Sequence, residues 1–359
     1  MYRIGIGITM SSIHEWRVLM NAIEWPAQRL KFRRPAEFEP HAKTWMAWPH
    51  RQDLYGANLP AMQQAYADVA HAIAQFEPVS MVVHPDHAKD AHAQLGKDID
   101  VVEIPIDDCW IRDSGPTFLK LADGNLGGVS WRFNAWGCKH EPYDQDNALA
   151  ERILAREDAL ALRSFLHCEG GSLTTDGEGT LIVTETSLLH SNRNPGVSKA
   201  WVEKELVRML GLEKVVWLPG DPLDLETDGH VDGMCCFVRP GVVMFEYNPD
   251  PADLHGRILA DNLAALRSQT DARGRSFDVI PIPEAYDVEA TSDVFARSYI
   301  NFAIANGGIV MPTFGRPSGE EAMAAVARAF PDRRIVTVDV GAVVPAGGAI
   351  HCITQEQPL

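Results

Sequence analysis

The sequence has no run approaching 18 uninterrupted apolar residues, about the length a helix needs to cross a bilayer, so a membrane-spanning helix is not expected. It also lacks a clear export signal. One basic residue precedes a short apolar run near the start, but His14, Glu15 and Arg17 cut that run off and no small-residue cleavage site follows. The six cysteines (Cys109, Cys138, Cys168, Cys235, Cys236 and Cys352) lack framework spacing, a C-x-x-C pair and a companion histidine pair. That argues against disulfides and zinc, and a reducing cytoplasm fits best. Basic residues are scarce as well. With 32 Lys and Arg against 49 Asp and Glu, the net charge is −17, which disfavours nucleic acid and anionic membrane as partners and favours small cations.

What the chain does have is apolar material: 46% of 359 residues, enough for a large core. Residues 1–34 are expected to be a poorly specified extension and, with the basic stretch Lys31-Phe-Arg-Arg-Pro35 at the boundary, residues 35–359 a single domain without an internal linker. Strand-like runs occur at Val79–Val83, Val101–Ile104, Thr180–Val183, Gly241–Phe245, Gly308–Met311 and Arg334–Val338. Helix-like periodicity occupies Pro60–Gln75, Asn147–Leu162, Ser198–Leu210, Leu254–Ser268 and Gly319–Phe330. Beneath this alternation runs a weak repeat, with polar loops near Trp110, Glu169, His230, Asn301 and Cys352 about 50 to 70 residues apart. The repeat supports an α/β fold with internal repetition, and an ordinary open α/β sheet remains compatible with it.

Three polar constellations interrupt the apolar runs. In Ile106-Asp-Asp-Cys-Trp-Ile-Arg-Asp-Ser-Gly-Pro116, Trp110 and Asp113 are three apart, so an aromatic face and a carboxylate could meet one planar cation; an Asp-rich turn is the plainer reading. Glu169 stands directly before two glycines, which suits close backbone approach or a simple turn. In Glu226-Thr-Asp-Gly-His-Val-Asp-Gly233, His230 and Asp232 would share one face of a strand. Such a pair can ligate metal, but no second ligand cluster accompanies it, and a proton-shuttling histidine is preferred. A nucleophile for that shuttle is available in Cys352, placed by the pattern at the end of a short apolar strand after Gly347 and Gly348. Cys235 and Cys236 read as core residues, as do Cys138 and Cys168.

Taken in order, seven segments resemble the agmatine deiminases, with bacterial peptidylarginine deiminases as cousins. They are Phe38-Glu-Pro-His-Ala-Lys-Thr-Trp-Met-Ala-Trp-Pro49, Asp107-Asp-Cys-Trp-Ile-Arg-Asp-Ser-Gly-Pro116, Glu169-Gly-Gly171, Asn192-Arg-Asn-Pro195, Asp228-Gly-His-Val-Asp232, Ser298-Tyr-Ile-Asn-Phe302 and Gly347-Gly-Ala-Ile-His-Cys-Ile-Thr-Gln355. The resemblance covers roughly nine-tenths of the chain. It implies the five-bladed pseudo-symmetric α/β propeller (pentein) of the guanidine-modifying superfamily. It also implies Cys352 as nucleophile, His230 as general acid and base, Glu169 as the partner orienting His230, Asp113 and Asp232 as a guanidinium clamp, and Trp110 as a pocket wall.

The implied reaction is hydrolysis of agmatine, a small cationic guanidine, to N-carbamoylputrescine and ammonia through a thiouronium intermediate, with no cofactor and no metal. A peptidyl-arginine or other guanidine deiminase, or an amidinotransferase, would share the same chemistry. Departures from the family pattern fall at His50, Ala349 and Asp228, and at a glycine-rich approach one glycine short. None removes a catalytic group, and they bear on the substrate's far end. Self-association into a homo-oligomer is left open.

Overall fold

The computed structural model describes residues 31–359, together with the backbone of a short antiparallel pairing of Tyr2–Arg3 with Thr9–Met10. The proposed extension at 1–34 therefore lies almost wholly outside the described residues. Arg33 and Arg34, at its end, are anchored. Arg33 pairs with Glu39, and Arg34 donates to the buried Glu356.

Five further sheets follow one another along the chain. His41–Ala47, Val79–Val83 and Asp100–Glu103 run parallel, and Gln355–Pro358 joins antiparallel at the edge. The next sheet pairs Thr117–Leu121 antiparallel with Leu126–Arg132, which runs parallel to Leu160–His167. The same antiparallel-then-parallel pattern recurs in Thr174–Thr175, Thr180–Thr184 and Lys214–Leu218, in Cys235–Arg239, Val242–Tyr247 and Asp278–Pro283, and in Ala303–Ala305, Gly308–Thr313 and Arg334–Asp339.

A parallel pair needs a crossover, and in each sheet a helix supplies it. The helix Leu59–Ala74 opens with Pro60 in its first turn, where a missing N–H costs nothing. Met62, Tyr66, Val69 and Ile73 form its fully buried stripe. The helix Lys199–Leu210 is capped by Ser198, whose Oγ accepts from Trp201 N at 3.3 Å, and is ended by Gly211 in the left-handed region. Asp253 caps Leu254–Arg267 through Gly256 N at 2.9 Å. Apolar faces of the helices lie between consecutive sheets, so the core is distributed among the sheets.

The six strand-like runs and four of the five helical runs fall on observed elements; the fifth helical run does not, and strands such as Leu126–Arg132, Lys214–Leu218 and Asp278–Pro283 were not anticipated. The helix expected over Asn147–Leu162 is Leu149–Arg156. Asp158 takes a positive φ of 51°, and Leu160–His167 is a strand whose burial alternates. A helix-like stretch thus ran into a period-two stretch at a turn that carries no glycine. The helix Ala88–Leu95 was not anticipated.

The connection leaving the last strand of each sheet for the first strand of the next carries, in order, Trp110, Glu169, His230, Asn301 and Cys352. All five connections meet. Arg112 N donates to Cys352 O at 3.3 Å, Gly171 N to Asp113 Oδ1 at 2.9 Å, and Cys352 N to Asn301 Oδ1 at 3.3 Å, while His230 Nε2 lies 3.3 Å from Glu169 Oε2.

Candidate active site

Cys352 sits in a turn ahead of the final strand, not at the end of a strand as its apolar surroundings suggested. Thr354 holds this turn, its hydroxyl donating to the carbonyls of Ile350 and His351 at 3.0 and 3.1 Å. The thiol is part-exposed and lies 3.4 Å from Asn301 Oδ1 and 3.7 Å from Asp232 Oδ2. A β-carbon on Gly348 would come within 3.0 Å of Cys352 Cβ and 2.5 Å of the Trp110 ring, so glycine is required for this approach.

His230 and Asp232 do not share a strand either. His230 is extended and Val231–Gly233 is a 3₁₀ turn, yet both side chains line one cavity of about 280 Å³ with Cys352. Behind His230 stand Glu169, at 3.3 Å from Nε2, and Asp113, at 3.9 Å from Nδ1. Glu169 is held by Arg193, whose Nε donates at 2.6 Å. Asp113 already accepts Gly171 N on one oxygen and Trp136 Nε1 on the other, both at 2.9 Å; a carboxylate has room for further donors on each. The backbone of Gly171 fills the space between these groups: a β-carbon there would meet His230 Nδ1 at 2.5 Å and Asp232 Oδ2 at 3.0 Å.

Charge is distributed unevenly in this site. Burial pushes the His230 imidazole down, but Asp113, Glu169 and Asp232 outweigh it and lift it to about 9. Burial pushes Glu169 up, yet Arg193 and His230 bring it down to about 2. Burial, with Asp232 and Glu169 adding to it, raises Asp113, whereas Asp232 is lowered because His351, His230 and Arg112 overcome its burial. Burial and the two aspartates push the Cys352 thiol well above the usual thiol range. These shifts favour a neutral thiol beside a protonated imidazole. A cation placed between the aspartates would favour thiolate.

Trp110 is buried and backs the cavity through Gly348; its indole donates to Tyr55 Oη at 3.2 Å. It is not itself a lining residue, and neither Asp113 nor Glu169 is. Sequence reasoning passed over Asn301, Arg193, Trp136, His351 and Glu37 as individual groups. Only the segments containing Asn301, Arg193 and His351 signalled them. Among the other cysteines, Cys109, Cys168 and Cys235 are buried and Cys236 is partly so, but Cys138 is exposed, against expectation.

Away from Cys352 the cavity wall is acidic. Asp221, Asp224, Glu246, Glu284 and Asp293 face His255 and Arg297. Among the described residues one group has metal-like spacing, Asp253, His255 and Glu284, with ligand atoms within 4.8 Å. Its imidazole is an ion-pair member, 2.6 Å from Glu284 and 3.3 Å from Asp221. Burial lowers it, but these carboxylates lift it to about 10, and a metal ligand must be deprotonated there.

The model of the Porphyromonas-type peptidyl-arginine deiminases matches residues 33–358. An agmatine deiminase of Pseudomonas aeruginosa is 42% identical over 352 residues, covering 91% of this chain and 95% of that one. One from Stutzerimonas stutzeri is 42% identical over 349 residues, covering 90% and 95%. The structure of the Enterococcus faecalis agmatine deiminase superposes with a TM-score of 0.88 at 37% identity, over 93% of this chain and 97% of the other.

Proposed function

Because the chain belongs to the Porphyromonas-type peptidyl-arginine deiminase family, we propose that it hydrolyses agmatine to N-carbamoylputrescine and ammonia, with Cys352 as the covalent nucleophile. The observation that carries this reading is the placement of the Cys352 thiol, the His230 imidazole and the Asp232 carboxylate on one cavity wall. In this reading the five sheets are blades of a propeller, and their five connections gather at its axis. Residues 35–359 act as one catalytic domain. No described helix is long and apolar enough to cross a membrane, and the free cysteines fit a reducing cytoplasm.

A guanidinium entering the cavity is paired by Asp232 and, behind His230, by Asp113, which offsets the cost of removing it from water. Its charge cancels the field that keeps Cys352 protonated, and the thiol proton leaves to solvent. Sulfur then bonds to the central carbon, and the C–N π pair moves onto a terminal nitrogen. His230 protonates that nitrogen, the C–N bond breaks, and ammonia departs, leaving an S-alkylthiouronium on Cys352. The imidazole, now neutral, takes a proton from water. Hydroxide adds to the carbon, the C–S bond breaks with its electron pair going to sulfur, and the hydroxyl proton passes to that thiolate, leaving the neutral ureido product and the Cys352 thiol restored. Glu169, fixed by Arg193, keeps the ring oriented throughout.

The acidic far wall favours agmatine. A distal ammonium is attracted to Asp224, Asp293 and their neighbours, whereas the carboxylate of free arginine is repelled. Ammonia release from a panel of agmatine, arginine and an arginyl peptide tests the assignment, with the highest kcat/KM expected on agmatine. A peptide winning that comparison would overturn the substrate and leave the chemistry standing. Exhaustive chelation is expected to leave turnover unchanged; loss restored by zinc or manganese would overturn the thiol chemistry.

A further inference from the structure

The reaction above leaves unused the histidine directly before the nucleophile. His351 is buried, with Nδ1 2.8 Å from Asp232 Oδ2 and Nε2 3.1 and 3.0 Å from the two oxygens of Glu37. A neutral imidazole has one N–H and could donate to one of these carboxylates, leaving the other facing a lone pair. Only the doubly protonated ring donates to both.

Its backbone is fixed on both sides. His351 N donates to Asn301 O at 3.0 Å, and His351 O accepts Arg112 Nε at 3.2 Å. Arg112 in turn binds Glu37 at 3.3 Å and Glu356 at 2.8 Å. The charged groups around the ring are thus Asp232 and Glu37, which favour a proton on it, and Arg112, which disfavours one. Among the described residues, Oδ1 of Asp232 takes no hydrogen bond, and Asp232 lines the cavity.

We propose that His351 is a positioning residue for guanidine recognition: bracketed between Glu37 and Asp232, it pins one oxygen of Asp232 and leaves the other free for the substrate. Glu37, 314 residues earlier in sequence, anchors the far side of the ring. Burial and Arg112 lower the imidazole, but Glu37 and Asp232 prevail and lift it to about 9, so the clamp is closed at neutral pH. This inference rests on the deiminase reading for its substrate, but the protonation state of His351 can be read without turnover.

Three variants and one spectrum test it. Imidazole ¹⁵N signals of the wild-type chain, with His351 identified by its loss in His351→Asn, should show a doubly protonated ring at about pH 7.5. In Glu37→Gln, which keeps the shape and an acceptor, the same ring should titrate at lower pH. For agmatine, His351→Leu should raise KM about tenfold or more with a smaller change in kcat, since a hydrogen bond to a charged group is lost. His351→Asn should restore most of this, because its amide can reach the Asp232 oxygen.

A neutral His351 in the wild type, or an unmoved titration in Glu37→Gln, overturns the proposal. So does an unchanged KM in His351→Leu. If His351→Leu does not fold, the Glu37→Gln titration decides alone. A wild-type chain that releases no ammonia from any guanidine defeats the deiminase reading instead, and the spectrum still reports whether the clamp exists.

Discussion

The guanidinium of Arg193 meets the carboxylate of Glu169 at 2.6 Å, and neither side chain has any solvent exposure. Arg193 also binds Asp228, so one cation serves two acids. Removing one partner of such a pair leaves an unpaired buried charge at a cost of ~3–5 kcal/mol. Arg193→Met should therefore lower the thermal midpoint and also depress kcat, because Glu169 loses the group that aims it at His230. A kcat unaltered in the folded variant would contradict the orienting role.

Cys352→Ser should bind agmatine without turning it over, since a serine hydroxyl is not appreciably ionised at neutral pH. Acid-quenched wild-type enzyme digested for mass spectrometry should carry the substrate-derived mass on the peptide containing Cys352. Finding it on Cys109, Cys235 or Cys236 would refute the nucleophile.

Neutralising the two aspartates that pair the guanidinium in the proposed reaction should be far more damaging than neutralising a surface aspartate. Asp232→Asn and Asp113→Asn should each cost about two to four powers of ten in kcat/KM, the rate equivalent of ~3–5 kcal/mol. Asp123→Asn, at an exposed turn, should cost under about 1 kcal/mol. Asp176, which its polar surroundings in the sequence suggest as a second surface control, is unsuitable. It is buried and accepts the backbone N–H of Glu178 and Thr180, each at 2.8 Å. Steady-state kinetics of the three informative variants make the comparison.

The pH dependence follows from His230 and His351, each raised to about 9. Both are raised above their unfolded value near 6.5, so their contribution to stability is full below about pH 6.5 and is lost as pH rises through about 9. Glu169, lowered to about 2, contributes above about 4.5 and loses that only as pH falls towards 2. Denaturant midpoints should hence decline between about pH 6.5 and 9. Turnover should fall on the alkaline side near 9 as the acid that protonates departing ammonia disappears. A midpoint that rises over that interval would show the imidazoles to be neutral in the folded chain.

Legibility from sequence was uneven for physical reasons. The helices Leu59–Ala74, Lys199–Leu210 and Leu254–Arg267 declared themselves because their caps and apolar stripes are local. Cys352, His230 and the acids around them could be picked out as chemically unusual residues. Their local backbone could not, because His230 is an extended residue packed against Gly171 and Cys352 sits in a turn held by Asn301, both distant in sequence. Glu37 was invisible for a related reason. A lone glutamate near the start of the domain reads as surface until the fold carries it against the histidine beside the nucleophile.

The edge strand Gln355–Pro358 is hydrogen-bonded to His41–Ala47, and Trp45 Nε1 donates to Gln357 at 2.7 Å across 312 residues of sequence. Cys352 stands three residues before that strand. Placing the thiol among its partners therefore requires the strand that follows it to pair with the strand His41–Ala47, far away in sequence. A contact of that sequence separation carries a large loop-closure cost, so this pairing is expected to be a slow step in assembling the cavity around Cys352.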